Sequence, residues 1–334
     1  MTARANIIPI FVPHMGCPNN CVFCNQRKIS GQTAAPGAAQ VAESIQQGID
    51  RCKDKSNIQL AFYGGSFTAI PTEKQNELLG AALPFLRGGK ISQIRLSTRP
   101  DAIDDEILTR LKSFGVTTIE LGAQSMDGEV LRLSGRGHSR EQTENAARLI
   151  KNRGFQLVLQ MMTGLPGDCF ERSRETAKQI IALAPDAVRI YPTVIVENTP
   201  LYDMWKAGAY REHTVSEAVE WCAALVPLFR QADIPIIRLG LNPSEELSEG
   251  AAAGGAYHPA FGELVSSAIL LNKARELLKN SAHGKNVVLG VNKAQLSPMT
   301  GQHRANVTTL MWEFSLDSLK IRQAEVLKDT IVLL

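Results

Sequence analysis

Short apolar runs alternate with longer segments of mixed polarity along the first 240 or so residues. The runs are rich in β-branched residues and are bounded by turn-forming residues, as buried strands usually are. The pattern predicts seven strands, at residues 6–12, 58–65, 93–98, 117–124, 156–162, 187–195 and 234–241.

The segments between these strands have the pattern of amphipathic helices. They place apolar residues at three- and four-residue intervals, at 38–52, 71–86, 104–115, 139–154, 171–184 and 214–229. Ser139 with Gln142, and Thr214 with Glu217, have the spacing of a capping box at a helix start. Gly115 and Gly154 follow predicted helix ends.

This βα alternation predicts a parallel sheet with right-handed crossovers. A complete or partial (β/α) barrel is the favoured α/β architecture, and a doubly wound open sheet is the alternative. After residue 241 the pattern changes to a Gly/Ala-rich loop, one long helix at 263–279 and a strand at 286–292. We therefore expect a core barrel in residues 1–241 and a smaller α+β region, facing the substrate, in residues 242–334.

Composition adds little to this picture. Hydrophobic residues make up 44% of the chain and charged residues 21%, and no apolar run is long enough to span a membrane. With no export signal at the N-terminus, we expect a cytoplasmic protein. The formal net charge of +3 neither demands nor excludes a nucleic-acid partner.

Polar or glycine-rich residues follow each of the first six predicted strands. In barrels, chemistry is placed in the loops beyond the carboxyl ends of the strands. Besides a cysteine loop after the first strand, these ends contain Gly64, Gly65, Ser66, Thr98, Gln124, Gln160 and Tyr191. Any one of them is explained by a turn or a helix cap. Their joint presence on the edge that bears the cysteines favours a functional site.

The cysteine loop contains Cys17, Cys21 and Cys24 in the sequence CPNNCVFC, whereas the other three cysteines lie singly. This is not the pattern of a disulfide framework. Clustered thiolates bind zinc, copper(I) or iron–sulfur clusters. His14 could complete a closed Cys₃His zinc site. Three thiolates without a nearby fourth fit better a [4Fe–4S] cluster that leaves one iron open.

The same loop resembles the CxxxCxxC signature of the radical S-adenosylmethionine (radical SAM) superfamily, including the aromatic Phe23 before the last cysteine. The resemblance implies that S-adenosylmethionine chelates the open iron and is split by one electron into methionine and a 5′-deoxyadenosyl radical. It also implies a partial (β/α)₆ barrel. The segment FYGGSFT resembles the glycine-rich motif of the superfamily, which places Gly64, Gly65 and Ser66 at the methionine end of the cofactor.

Further segments resemble the radical SAM domain of the Elongator catalytic subunit and its prokaryotic relatives, which modify the wobble uridine of tRNA. These segments are STRPD, IELGAQSMDGEVLRLSGRGHS, QMMTGLPGD and DAVRIYPTVIVENTPLYDMWKAGAY, and the similarity extends over residues 5 to 240. By position, the resemblance implies cofactor or ribose contacts from Gln124, Arg136 and Gln160, with Phe23 and Thr98 as further cofactor-binding candidates. The alternative for Arg136 is to order the loop before the next helix. LGAQS and GLPG show a weaker similarity to oxygen-independent coproporphyrinogen oxidases.

Glu120 lies within a strand that is otherwise apolar. A buried carboxylate is costly unless it is paired, so we expect Glu120 to face a polar site inside the barrel. Glu120 and Tyr191 are the catalytic candidates, and Arg238 is expected at the barrel mouth with them.

The sequence thus predicts a radical SAM enzyme with a [4Fe–4S] cluster and S-adenosylmethionine as cofactors and tRNA as the expected substrate. An electron donor such as flavodoxin or ferredoxin is an expected partner. No acetyltransferase domain is recognised, so acetyl chemistry is not expected. One alternative is a radical SAM enzyme acting on a porphyrinogen or another small molecule. The other is a zinc-stabilised RNA-binding module that uses the cysteines with His14.

Overall fold

The structure is a computed structural model that describes residues 5–12, 21–25, 35–241 and 252–334. The strands are β1 Asn6–Val12, β2 Ile58–Gly64, β3 Gln93–Thr98, β4 Val116–Gln124, β5 Gln156–Thr163, β6 Ala187–Pro192, β7 Val194–Val196, β8 Ile236–Leu239, β9 Ala252–Gly255, β10 Asn286–Val291, β11 Ser318–Gln323 and β12 Ile331–Leu333. The helices are α1 Ala38–Arg51, α2 Thr72–Arg87, α3 Asp105–Ser113, α4 Gly128–Leu133, α5 Arg140–Asn152, α6 Phe170–Ala182, α7 Pro200–Lys206, α8 Val215–Gln231, α9 Phe261–Asn280, α10 Leu296–Thr300 and α11 Ala305–Glu313.

The main sheet has seven strands in the order β1-β2-β3-β4-β5-β6-β8, and every neighbouring pair is parallel. The order follows the chain without a reversal, whereas a doubly wound sheet needs a reversal point. Right-handed crossovers in one direction place the helices on one face, so the sheet can curl around the other. The fold is a partial TIM-type barrel, as predicted.

Local sequence signals explain several boundaries. Ser139 and Gln142 form the predicted capping box at the start of α5. Asp104 caps α3 by accepting a hydrogen bond from the Ile107 N–H at 2.7 Å. Gly115 and Gly154 follow α3 and α5 with φ of 75° and 74°, a left-handed conformation that glycine adopts without strain.

The single strand predicted at 187–195 was wrong, because the chain leaves the main sheet at Thr193. The N–H of Thr193 donates to the Thr163 carbonyl at 2.9 Å, and its carbonyl accepts from the Ala256 N–H at 3.0 Å. The next residues form β7, which pairs antiparallel with β9. β9 lies in the Gly/Ala-rich segment for which the sequence predicts a loop, because its short side chains give no alternating pattern.

The chain divides into two compact units. The first comprises Met1–Thr214 and Leu228–Tyr257, and the second comprises Val215–Pro227 and His258–Leu334. The second unit has a three-stranded sheet in the order β11-β10-β12 and an apolar core that includes Leu270, Leu289 and Leu310. Within the described residues, no helix combines the length and apolarity needed to cross a bilayer.

Candidate active site

The face of the main sheet opposite the helices is concave and bears charged side chains. The Tyr63 hydroxyl of β2 lies 2.8 Å from Nη2 of Arg189 in β6. Four strand spacings separate these strands, about 19 Å in a flat sheet, which exceeds the combined reach of the two side chains. The contact therefore requires that the sheet curl with this face inward.

Glu120 of β4 lies at the centre of this interior and is only 2% exposed. Its Oε1 accepts from the Tyr63 hydroxyl at 2.9 Å and from Nη1 of Arg95 at 3.0 Å. It also accepts from Nη2 of Arg189 at 3.0 Å, while Oε2 lies 2.8 Å from Nε of Arg189. The inward orientation expected from the sequence is present, and one carboxylate bridges two buried arginines.

These partners perturb each other's protonation. Burial, followed by the nearby Glu120 carboxylate, raises the pKa of Tyr63 well above its ordinary value. For Arg189, burial alone would lower the pKa, but Glu120, Tyr191 and Tyr63 together outweigh burial and raise it. Two arginines pair with one glutamate in this network, so its formal charge inside the barrel is positive.

Tyr191 extends this network toward the carboxyl ends of the strands. Its hydroxyl accepts a hydrogen bond from Nη1 of Arg189 at 3.1 Å, which leaves its own proton available to donate. Arg238 of β8 donates through Nε to the Gly240 carbonyl at 3.1 Å. Burial and neighbouring Arg189 lower the pKa of Arg238, so a third cation lies close to the same interior.

The last two cysteines of the loop lie in a tight turn, with the Cys24 N–H donating to the Cys21 carbonyl at 3.1 Å. Nη1 of Arg136 donates to Sγ of the buried Cys21 at 3.4 Å, and its Nη2 donates to the Gly122 carbonyl at 2.6 Å. A Cβ on Gly122 would lie 2.9 Å from this Nη2, so a larger residue there would displace the Arg136 guanidinium. Arg136 thus joins the cysteine turn to the end of β4.

Backbone hydrogen bonds fix the end of the cysteine loop. The Val22 N–H donates to the Ser134 carbonyl at 3.0 Å, and its carbonyl accepts from the Leu201 N–H at 2.8 Å. Phe23 packs against the apolar cluster that contains Leu201 and Tyr210. Its structural role is therefore to hold the loop in place, alongside the predicted cofactor contact.

The glycine pair after β2 lies against the end of β1. Gly65 donates to the Val12 carbonyl at 2.9 Å. Gly64 has φ of 108°, and a Cβ on it would lie 2.5 Å from the Val12 carbonyl oxygen. Ser66 is buried next to this pair. A glycine is required for the backbones to approach so closely at the start of the cysteine loop.

Gln124, the last residue of β4, meets Gln160 from the middle of β5. Nε2 of Gln160 donates to Oε1 of Gln124 at 3.3 Å. Gln124 has φ of 64°, an unusual value for a residue other than glycine, and it lies at a register shift between the two strands. Strained backbone of this kind concentrates at ligand sites.

His138 fixes the segment that bears Arg136. Its Nε2 lies 3.2 Å from the Ala123 carbonyl, and the ring is 6% exposed. Burial, and then the neighbouring Arg136, lower the pKa of His138 from 6.5 to about 3. The imidazole is neutral at physiological pH and donates from Nε2 to the Ala123 carbonyl. This hydrogen bond holds the segment that contains Arg136, whose side chain reaches Cys21.

The remaining predicted residues are placed less favourably or lie outside the described residues. The Thr98 hydroxyl is buried and hydrogen-bonded to the Thr68 hydroxyl at 2.5 Å, so it orders the loop after β2. His14 and Cys17 are outside the described residues. Sequence reasoning missed Arg95 and Arg189, although each is a lone charge in an apolar strand, the signal that identified Glu120.

The described part of the site fits an iron–sulfur cluster. Cys21 and Cys24 form no disulfide and lie in one turn of the chain, and the buried guanidinium of Arg136 donates a hydrogen bond to Sγ of Cys21. Thiolates are the ligands that such clusters take. In the part of the chain that the structure describes, which does not include Cys17, no three His, Cys, Asp or Glu side chains lie close enough together to hold a metal ion.

Two protein families match this chain. The Radical SAM superfamily matches residues 11–180, and the Radical SAM C-terminal domain matches residues 185–270. An uncharacterised protein of Methanocaldococcus jannaschii is 31% identical over 79% of this chain and 82% of its own length.

Other relatives are longer. A tRNA uridine(34) acetyltransferase of Methanocaldococcus infernus is 32% identical over 53% of this chain, and Elongator complex protein 3 of Homo sapiens is 31% identical over 54%. The chain spans 39% and 38% of these two proteins. The solved structure of M. infernus Elp3, lacking residues 1–46, has a TM-score of 0.63 at 24% identity and covers 81% of this chain and 64% of its own. This last similarity shows the same fold.

Proposed function

Because the chain belongs to the radical SAM superfamily and is an enzyme of that class, we propose that Cys17, Cys21 and Cys24 hold a [4Fe–4S] cluster with one iron left open. The family implies an iron–sulfur cluster and S-adenosylmethionine as cofactors. Once bound, they would supply a 5′-deoxyadenosyl radical by reductive cleavage of S-adenosylmethionine. The observation that most supports this proposal is the buried hydrogen bond from Arg136 to Sγ of Cys21.

The chain's own residues would bind and orient the cofactor. Gly64 and Gly65 are half-buried next to Val12 at the start of the cysteine loop, and neither has a side chain that would keep the cofactor from the backbone. Ser66 would lie at the methionine end with them. Gln124 and Gln160 present amide groups that can donate to or accept from the ribose.

The barrel interior would bind the substrate. Glu120 holds Arg95 and Arg189 in place, and the remaining positive charge favours an anionic group there. Tyr191 is the group best placed to donate a proton or hydrogen atom, because its hydroxyl accepts from Arg189 and keeps its own hydrogen free. Glu120 is then a positioning residue for the two arginines.

We propose tRNA as the substrate, by analogy with the relatives named as tRNA uridine(34) acetyltransferases. The reaction would then take place in the cytoplasm, with a flavodoxin or ferredoxin as electron donor. Acetyl transfer is not part of the proposal. The division into a barrel at residues 1–241 and a substrate-receiving region at 242–334 is also a proposal.

The test is anaerobic purification followed by iron and cofactor assays. We expect about four irons per chain and formation of 5′-deoxyadenosine from S-adenosylmethionine under reduction. Cys24→Ala should lose both, whereas Cys52→Ala, a change at a cysteine outside the loop, should lose neither. Stoichiometric zinc in the wild-type protein would contradict the proposal.

The substrate is tested by the rate of 5′-deoxyadenosine formation. Unmodified tRNA should raise this rate above the background, and a porphyrinogen should not. The opposite pattern would keep the radical chemistry and assign a small-molecule substrate instead.

A further inference from the structure

The second unit contains a strand–helix–helix–strand segment with an unusual connection. β10 leads through the short helix α10 to α11 and then to β11, which pairs parallel with β10, and β12 pairs antiparallel on the other side. The two helices are joined by four residues, Gly301 to Arg304. Both helices pack against β11, and their buried side chains complete the core of the unit.

This four-residue loop has a left-handed backbone and points outward. Gly301, His303 and Arg304 have φ of 77°, 50° and 63°. Gln302, His303 and Arg304 are all exposed. A Cβ on Gly301 would lie 2.9 Å from the Asn306 nitrogen, so only glycine fits at the first position.

The residues around the loop are firmly anchored. Met299, Val307 and Leu310 are buried, two residues before and six and nine residues after Gly301. Nδ2 of the buried Asn306 donates to Oγ of Ser267 at 3.0 Å and to the Pro298 carbonyl at 3.2 Å. The loop is therefore presented by a rigid support.

KH modules clamp four nucleotides by their backbone with a Gly-x-x-Gly loop. Residues 301–304 have the first glycine of that pattern, and Arg304 stands at the fourth position in place of the second glycine. Arg304 has a left-handed φ of 63°, and its guanidinium provides a charge suited to phosphate.

Charge in this segment agrees with such a ligand. Between Asn292 and Trp312 the sequence contains Lys293, His303 and Arg304 but no aspartate or glutamate. Lys293 and Arg304 are both exposed. The Asp329 carboxylate reaches this segment at Gln295, where it accepts a hydrogen bond from Nε2 at 2.5 Å. The exposed cations Lys293 and Arg304 can still contact a phosphate backbone.

We propose that the α10–loop–α11 segment, residues 296–313, binds the backbone of single-stranded RNA. The proposal deepens the RNA-substrate part of the proposed function by adding a second binding site. It does not depend on the cluster or on cleavage of S-adenosylmethionine, so the two can fail separately.

The test measures binding of the full-length protein to a fluorescein-labelled, mixed-sequence single-stranded RNA of about 12 nucleotides by fluorescence anisotropy. The loop variant is Gln302→Asp with His303→Asp. Both positions are exposed, and aspartate tolerates the left-handed backbone at residue 303, so the fold should be retained. Two added negative charges should weaken binding roughly tenfold or more.

The matched control is Ala282→Asp with Gly284→Asp, which adds the same charge to exposed residues of the same unit. These residues follow the end of α9 at Asn280. Ser267 of the same helix contacts Asn306 near the loop, and the rise over the 13 residue steps from Ser267 to Asn280 is about 20 Å. We expect wild-type affinity from this control. Equal loss in the control, wild-type affinity in the loop variant, or no binding by the wild-type protein would each overturn the proposal.

Arg304→Asn separates charge from fold. Asparagine also tolerates the left-handed backbone, so the melting temperature should not fall. In a plot of the logarithm of affinity against the logarithm of salt concentration, the magnitude of the slope should decrease by about one, as expected for the loss of one phosphate contact. An unchanged slope, or duplex RNA bound as tightly as single strands, would count against the proposal.

Discussion

Replacing Glu120 by glutamine tests the charged network inside the barrel. The variant keeps the size of the side chain but removes the negative charge that faces Arg95 and Arg189, which are 8% and 9% exposed. The two guanidinium groups would remain buried without a counterion. Breaking a buried ion pair by removing one partner typically costs 3–5 kcal/mol, so we expect a loss of about 4 kcal/mol in the free energy of unfolding.

The loss can be measured by urea unfolding of the purified protein followed by circular dichroism. Glu129→Gln is the matched control, because Glu129 pairs with Arg132 on the exposed surface of α4, and no measurable change is expected. The double variant Glu120→Gln with Arg95→Met should recover part of the loss, since one of the two uncompensated charges is removed with it.

A loss below about 1 kcal/mol for Glu120→Gln would refute the reasoning, because it would mean that water or another group compensates the arginines. The reasoning would also be refuted if the stability loss of the double variant equalled the sum of the losses from Glu120→Gln and Arg95→Met measured separately. Either result would remove the basis for a positively charged substrate pocket.

Three further predictions concern the cofactor end of the barrel. Arg136→Met removes a charge-assisted hydrogen bond of about 2 kcal/mol from Sγ of Cys21. The bond is stronger to the more negative, reduced cluster, so the cluster potential in a redox titration should become more negative, by about 85 mV at most. Arg136→Lys should shift the potential less, and an unchanged potential would contradict the contact. In the unfolded chain His138 binds a proton below pH 6.5, but in the folded protein its pKa is about 3, so stability should fall as the pH drops from 6.5 toward 3, by about 2 kcal/mol at pH 5. His138→Gln should flatten this part of a urea-unfolding pH series, and an equally steep series in the variant would refute the assignment. Gly64→Ala should lower the stability of the protein and weaken S-adenosylmethionine binding in calorimetry, because the new Cβ would lie 2.5 Å from the Val12 carbonyl oxygen. The control Gly80→Ala has open space around it and should stabilise α2 by about 0.5–1 kcal/mol. Equal effects of the two changes would be inconsistent with this geometry.

The periodicity of the sequence predicts the main sheet well because a buried parallel strand is a short run of apolar residues. Such a run can be recognised without knowing which strands pair with it. The strand bounds 6–12 and 93–98 agree with the structure, and Ser139 caps α5 as its spacing indicates. The exit of the chain at Thr193 could not be predicted, since it depends on hydrogen bonds to Thr163 and Ala256, far away in sequence.

The candidate site was predictable in part for the same physical reason. Glu120 stands out because an isolated charge in an apolar strand demands a partner, and that logic applies equally to Arg95 and Arg189. The identity of the partners depends on how the sheet curls, which is a tertiary property. The contact between Arg136 and Cys21 joins residues 115 positions apart, and no local sequence pattern predicts it.

The most direct measurement of the central claim is electron paramagnetic resonance of the anaerobically reconstituted and reduced protein, recorded with and without S-adenosylmethionine. We predict the signal of a reduced [4Fe–4S] cluster, and a change in that signal when the cofactor binds the open iron. A protein that contains zinc and gives no cluster signal, or a cluster whose signal is unaffected by the cofactor, would contradict the account.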